Sequence, residues 1–346
     1  MKDLNLKYKY VFLNATDGNL FEDNINGYYY ICAKDLETCQ NVYLFSAILK
    51  NRNKFLRFLC KLHLSRKINK IIRLPLKKIW YPLFYDFKEL DESPICFVLN
   101  NFQLPFDYLL YLKKRFPNAK FVKIHRDLIR YFYERYPGYS KEKCDHLFDL
   151  NLSYDEQEAK ELGWPAFEEF ESRIDVPTNE FEIKYDVFFV GRAKDRLQTL
   201  LDVYKKLSSL GLKCHFYITG VPSEKRNKYP GIVFADKNMS YKEMLLETIC
   251  SNCVLDINQG GAIGFTSRFL EAIIYNKKLL TNNKGALNSK FYNPEYIQYF
   301  DERLSFDGGF FNNEMKVDYK YNNEFSPIQL IKKIDEIIIH EDGNKK

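Results

Sequence analysis

The stretch GAIGFTSRFLEAIIYNKKLLTNN, Gly261 to Asn283, decides how this chain is read. It passes from a glycine-rich loop through an amphipathic segment into a short apolar run, the order loop, helix, strand. At about 100° per residue, Phe269, Leu270, Ile273 and Ile274 share one arc, and Arg268, Glu271 and Tyr275 fall on the opposite, non-core one. Such a loop brings backbone N–H groups and a helix N-terminus to one point, a setting that favours phosphate. Arg268 then offers a cation for a diphosphate, and Glu271 a carboxylate for sugar or ribose hydroxyls. The same residues also suit a solvated helix face with an i,i+3 ion pair. On this segment alone both readings stand.

Working outward, the second half of the chain alternates regularly. DVFFV (Asp186–Val190), KCHFYIT (Lys213–Thr219), GIVF (Gly231–Phe234), CVLDI (Cys253–Ile257) and KKLLT read as strands. Between them lie helical patterns over 196–210, 240–249 and 265–275. Ser240 with Glu243 makes a capping box for the second of these, and Gly211 stops the first. Strands alternating with helices of this length predict a parallel sheet covered on both faces, whose ligands bind at the carboxyl ends of its strands.

Two loops lie at those ends. In Gly191-Arg192-Ala193-Lys194-Asp195-Arg196 the glycine lets backbone approach a ligand. Arg192, Lys194 and Arg196 supply cations for phosphate oxygens, and Asp195 is placed to cap the helix. In the other, Gln259, Gly260, Gly261 and Gly264 keep the chain thin, and Thr266 or Ser267 serves as N-cap. Gly220 ends the KCHFYIT strand at the same edge. Neither loop matches G-x-G-x-x-G or G-x-x-x-x-G-K-[ST], so the dinucleotide and P-loop fingerprints are absent. No Asp-x-Asp occurs, which disfavours a metal-dependent sugar-nucleotide site. Charge on a leaving diphosphate would be met by Arg, Lys and the helix dipole, with no metal or other cofactor expected.

In the first half, strands are expected over Tyr8–Leu13, Gly27–Ala33, Ile95–Leu99 and Ala119–Ile124, with helices over 107–116, 128–136 and 156–162. Residues 170–185 lack periodicity, contain Pro177 and read as an interdomain linker. A length of 346 residues suits two domains. We place them at 1–175 and 183–322, followed by a C-terminal helix and tail at 323–346. Three residues are candidates for a catalytic base: Asp17 in the turn after the first strand, and His125 and Asp127 after a later one. Each also has a plain reading as a turn or loop residue.

The net charge is +6, unevenly placed. From Ser46 to Tyr85 there is no Asp or Glu, while Lys and Arg interleave with Phe55, Leu56, Phe58, Leu59, Leu62, Ile71 and Ile72. An anionic membrane surface, a solvated basic face and a nucleic acid each fit that mixture; the first is favoured, and nucleic acid is not expected as a partner. No run approaches the ~18 apolar residues of a membrane span, and the N-terminus lacks a signal-peptide core. The location expected is cytoplasmic, peripheral at the inner face of the cytoplasmic membrane. The eight cysteines are scattered apart from Cys250 and Cys253, and without a second pair or spaced histidines they read as reduced and structural.

YDVFFVGRAKDR, SNCVLDI, GFTSRFLEA, KKLLTNN and FYNPEYI, taken in order over about 186–298, resemble bacterial glycosyltransferases of capsular and lipopolysaccharide biosynthesis. That resemblance implies an α/β protein of the GT-B fold, two Rossmann-like domains facing a central cleft. It implies an N-terminal acceptor domain, a C-terminal nucleotide-sugar domain and transfer to a lipid-linked or oligosaccharide acceptor. It puts Glu271 in the donor-binding position, with Arg268 and Thr266 at the diphosphate. Where many such enzymes carry Glu-x7-Glu, the earlier position here is Ile263. A sugar-nucleotide epimerase of the same fold and a basic nucleic-acid-binding protein are the alternatives.

Overall fold

The computed structural model describes residues 3–13, 28–45, 47–72, 74–90, 93–99, 106–135, 139–175, 181–258, 263–312 and 315–344. The chain divides into two compact units. The first holds Met1–Tyr154, Glu158–Phe167 and Ser326–Lys346; the second holds Asp155–Gln157 and Glu168–Phe325.

The first unit is built on five parallel strands, β1 (Lys9–Leu13), β2 (Val42–Phe45), β3 (Ile95–Leu99), β4 (Lys120–His125) and β5 (Leu150–Ser153). Their order is β2-β1-β3-β4-β5, one of the two common doubly wound orders. In register, Tyr10 pairs with Val42 and Cys96, and Val122 with Leu150. All of β3 and most of β4 are buried, as strands covered on both faces must be. GYYYICA is not a strand: Tyr28–Cys32 is helical, and the edge position goes to Val42–Phe45. A short aromatic run carries no period that separates strand from buried helix.

The second unit has six parallel strands, β6 (Tyr185–Arg192), β7 (Cys214–Thr219), β8 (Ile232–Ala235), β9 (Ser251–Asp256), β10 (Lys278–Thr281) and β11 (Ile297–Tyr299). Their order, β8-β7-β6-β9-β10-β11, is the Rossmann order. Alternate residues face opposite cores. Val187, Phe189, Cys253 and Leu255 join one with the Leu197–Ser209 helix. Val254 and Leu279 join the other with the Tyr241–Ile249 and Ser267–Ile274 helices. The α/β class with two Rossmann-like units is therefore present.

Two segments lie elsewhere than the sequence suggested. The Pro327–Asn344 helix belongs to the first unit rather than standing apart as a tail. Its Ile331, Ile334 and Ile338 are buried, and its Asp335 accepts from Tyr10 Oη at 2.7 Å. Residues 168–175 are not an exposed linker. Phe170, Glu171 and Ser172 are buried in the second unit, and Glu171 N donates to Phe325 O at 2.8 Å. All eight cysteines are buried and none is in a disulfide, Cys250 and Cys253 included.

Candidate functional site

β6 and β9 are neighbours whose outgoing connections run to opposite sides of the second sheet, β6 to β7 and β9 to β10. The crevice where such connections part is where doubly wound sheets take their ligands. A cavity of about 470 Å³ lies at this edge, lined by Asp195, Arg196, Ile257, Asn258, Asn282 and Asp301 among others.

The GRAKDR loop behaves differently from expectation in three ways. Asp195 does not cap the following helix; its N-cap is Arg196, without a side-chain bond, and Asp195 lines the cavity instead. The Arg196 guanidinium is tied down, donating through Nη1 to Ile257 O and through Nη2 to Arg192 O at 3.2 Å. Gly191 makes room for that guanidinium rather than for a ligand, since a Cβ there would lie 3.1 Å from Arg196 Nη2. Arg192 and Lys194 are exposed, Lys194 in the left-handed region at φ 46°. Gly220 has φ 73°, and a Cβ on it would lie 3.8 Å from Arg192 Nε.

The centre of the edge is a residue that sequence reasoning passed over. Asp256, the last residue of β9, is buried and accepts from Thr266 Oγ1 at 2.8 Å and Thr281 Oγ1 at 3.0 Å. Burial raises its proton affinity; the two hydroxyls and the nearby Arg196 and Arg268 oppose that. An acid closing an otherwise apolar strand just ahead of a glycine loop was the available signal. Thr266 is the N-cap of the Ser267–Ile274 helix, its Oγ1 accepting from the amides of Arg268 and Phe269 at 3.1 and 3.3 Å. Its hydroxyl therefore serves the helix and Asp256, not an open phosphate position. Asp155 Oδ2 accepts from the amides of Ile263 and Gly264 at 3.1 and 3.4 Å. The loop does gather N–H groups around an anion, and the anion is a carboxylate of the chain itself. Gln259 lies outside the described residues, as does Asp17.

Arg268 and Glu271 form the anticipated i,i+3 ion pair, but their face is not solvated. The Glu271 side chain is fully buried and that of Arg268 is 14% exposed. Tyr275 on the same face is buried too, its hydroxyl accepting from Ile174 N at 2.9 Å. The strap at 168–175 thus reaches Tyr275 on the face that the helical period had left outside. Burial pushes the Glu271 carboxyl up to about 7, against the pull of Arg268. Arg268 Nη1 and Glu271 Oε2 are shut off from solvent and have no partner among the described residues. A buried charged pair with one donor and one acceptor unmet is costly, and neither Arg268 nor Glu271 is among the residues that line the cavity.

In the first unit, His125 ends β4 and Asp127 follows it. His125 is buried, stacked on Trp164 with ring centroids 5.0 Å apart, and its Nε2 lies 3.4 Å from Asn151 Oδ1. Burial, then the neighbouring Lys123, hold its imidazole well below the ordinary histidine range. Asp127 is exposed. Among the described residues no group of three or more His, Cys, Asp or Glu is arranged to hold a metal ion.

No family model matches the chain, and no curated protein matches it in sequence. Among solved structures it is similar to an alpha-glucosyltransferase in complex with UDP and a DNA 13-mer: 10% identity, 94% of this chain and 90% of that one, TM-score 0.44. It is similar to a Listeria monocytogenes protein provisionally described as a UDP-N-acetylglucosamine 2-epimerase, at 10% identity, 96% of both chains and TM-score 0.46. It is also similar to a trehalose-6-phosphate synthase, at 11% identity, 96% of this chain, 98% of that one and TM-score 0.47. Likenesses at this level carry no residue role over to this chain.

Proposed function

We propose that this chain is a glycosyltransferase. It takes a sugar from a nucleotide-diphosphate donor and passes it to a lipid-linked surface glycan at the cytoplasmic face of the membrane, without a metal. The observation that carries the reading is the buried Arg268–Glu271 pair beside the glycine loop, with Nη1 and Oε2 unmet among the described residues. In this reading Arg268 meets the diphosphate, and Glu271 accepts from hydroxyls of the ribose or the sugar. The exposed Arg192 and Lys194 sit at the neighbouring strand end. A diphosphate that uses the amides of Ile263 and Gly264 has to displace the Asp155 carboxylate from them. Of the proposed bases, Asp127 is open to an acceptor hydroxyl and His125 is enclosed.

The test is a thermal-shift screen with UDP, GDP, CMP, TDP and their sugars. A ligand at a hundred times its Kd adds about 2.7 kcal/mol to the unit that binds it. One nucleotide should raise the midpoint of the wild type and leave an Arg268→Met/Glu271→Leu double variant unshifted. If no nucleotide or nucleotide sugar moves the wild type, the enzyme reading fails. If the double variant shifts equally, the site assignment fails.

A further inference from the structure

The acid-free stretch forms a surface rather than a core. The Lys54–Leu64 helix is opened by Asn53, whose Oδ1 accepts from Leu56 N at 2.7 Å. It divides into three arcs at about 100° per residue. Leu56, Cys60 and Leu64 face inward and join the first unit's core. Lys54, Arg57 and Lys61 form a basic arc. Phe55, Phe58, Leu59 and Leu62, at i, i+3, i+4 and i+7, are exposed, Phe55 by 70%. The helix thus carries a second apolar stripe, and that one faces solvent.

The chain then returns alongside and extends the patch. Ile71, Ile72, Leu76 and Ile79 are all exposed, Ile71 by 85%. The return is built, not loose. Trp80 Nε1 donates to His63 Nδ1 at 2.9 Å, which makes His63 Nε2 the donor to Pro75 O at 2.7 Å. Asn69 Nδ2 donates to His63 O at 2.9 Å and Ser65 O at 2.8 Å, and its Oδ1 accepts from Leu74 N at 3.2 Å. A fixed platform therefore holds eight large apolar side chains outward, with the exposed cations Arg52, Lys54, Lys61, Lys67 and Lys78 around them and no acid between 46 and 85.

We infer that this platform docks the protein on a bilayer bearing anionic headgroups, the apolar stripe entering the acyl boundary and the basic arc resting on the headgroups. Patches of this kind mark interaction sites, and the charge pattern selects the partner. A second copy of the chain would bring the same cations face to face in a two-fold contact. A nucleic acid rewards aromatic stacking, yet six of the eight side chains are aliphatic. Among the described residues no helix is long and apolar enough to cross a membrane, so the contact proposed is with one leaflet. The inference deepens the acceptor half of the proposed function, but its test transfers no sugar.

The full chain would be floated with phosphatidylcholine vesicles, with and without about a third phosphatidylglycerol. Binding should require the anionic lipid and weaken with salt. Replacing Lys54 and Lys61 by Ala should lower partitioning about fivefold each, the equivalent of ~1 kcal/mol per cation. Phe55→Ser/Phe58→Ser should lower it about a hundredfold, roughly tenfold for each ring. Val233→Ser, an exposed apolar position in the second unit, is the control and should float like wild type. Both patch variants should keep the wild-type midpoint and its nucleotide-induced shift, which separates this test from that of the enzyme reading. Failure to bind anionic vesicles at low salt overturns the inference. So does binding that both patch variants retain, a dimer that the phenylalanine substitutions dissolve, or RNA binding that outcompetes the vesicles through the same residues.

Discussion

Removing one member of the Arg268–Glu271 pair should cost far more than removing both, and of the two single variants only the one that keeps the carboxyl should itself titrate at this site. The pair is buried, with Glu271 fully so. Breaking such a pair strands a charge in a poorly solvated site, which costs about 3–5 kcal/mol, whereas replacing both members by apolar residues of similar volume is close to neutral. For a unit of this size each kcal/mol moves the midpoint by about 2–4 °C, so each single variant should melt roughly 6–20 °C lower, with Arg268→Met/Glu271→Leu near wild type. The asymmetry comes from proton chemistry. Glu271→Leu removes the carboxyl itself, so the stability of that variant carries no titration at this position between pH 6 and pH 8. Arg268→Met leaves a carboxyl already raised to about 7, now without the cation that held it down. At pH 6 that carboxyl takes a proton and sits neutral; at pH 8 it is opposed to ionising and the variant is penalised. Calorimetry of the four proteins at both pH values reads the cycle. Two single losses under about 1 kcal/mol, or a double loss equal to their sum, would mean that no buried pair couples these residues. Equal pH dependence of the two single variants would refute the proton argument.

Two further outcomes follow from local geometry. A Cβ at Gly285 would lie 2.6 Å from Ile263 O. Gly285→Ala should therefore push the glycine loop, destabilise the second unit by about 1–3 kcal/mol and weaken nucleotide binding; an unchanged midpoint by calorimetry would mean that the loop yields freely. Lys123 is buried in β4, its Nζ donating to Ile124 O at 2.8 Å, and burial pulls its amine down to about 7. Its folded value lies below the unfolded one, so the unfolded chain binds more protons between about 7 and 10, and stability should rise with pH across that window. Lys123→Met should lack the rise, and denaturant titrations at pH 7 and pH 10 giving parallel profiles for the two proteins would count against it.

Most strands of both sheets were legible because parallel strands buried on both faces leave near-continuous apolar runs, as DVFFV, KCHFYIT and CVLDI do. Tyr28–Cys32 was misread, and Val42–Phe45 passed over, because four or five residues are too few to carry a period. The candidate site shows a subtler limit. The helical period of 267–274 correctly set Phe269, Leu270, Ile273 and Ile274 against the core and left Arg268 and Glu271 out of that cluster, whereas Tyr275, expected on the non-core face, joins it. What it could not convey is that the second face is buried too, at Tyr275 by a strap at 168–175 that has no period and reads as a linker. Asp155 was illegible for a related reason: a carboxylate that seats itself on loop amides more than a hundred residues away leaves no local pattern. Both omissions change the chemistry in the same direction. Fully buried, Glu271 is a dehydrated carboxyl rather than a solvated one, and with Asp155 in place the loop already holds an anion. A solvated Arg–Glu face would have to give up its hydration on meeting a ligand, which offsets what the new contacts gain. A buried pair with Nη1 and Oε2 unmet among the described residues has its desolvation cost met in folding, so in the proposed function hydrogen bonds to a ligand at those two atoms would add to binding with little further loss.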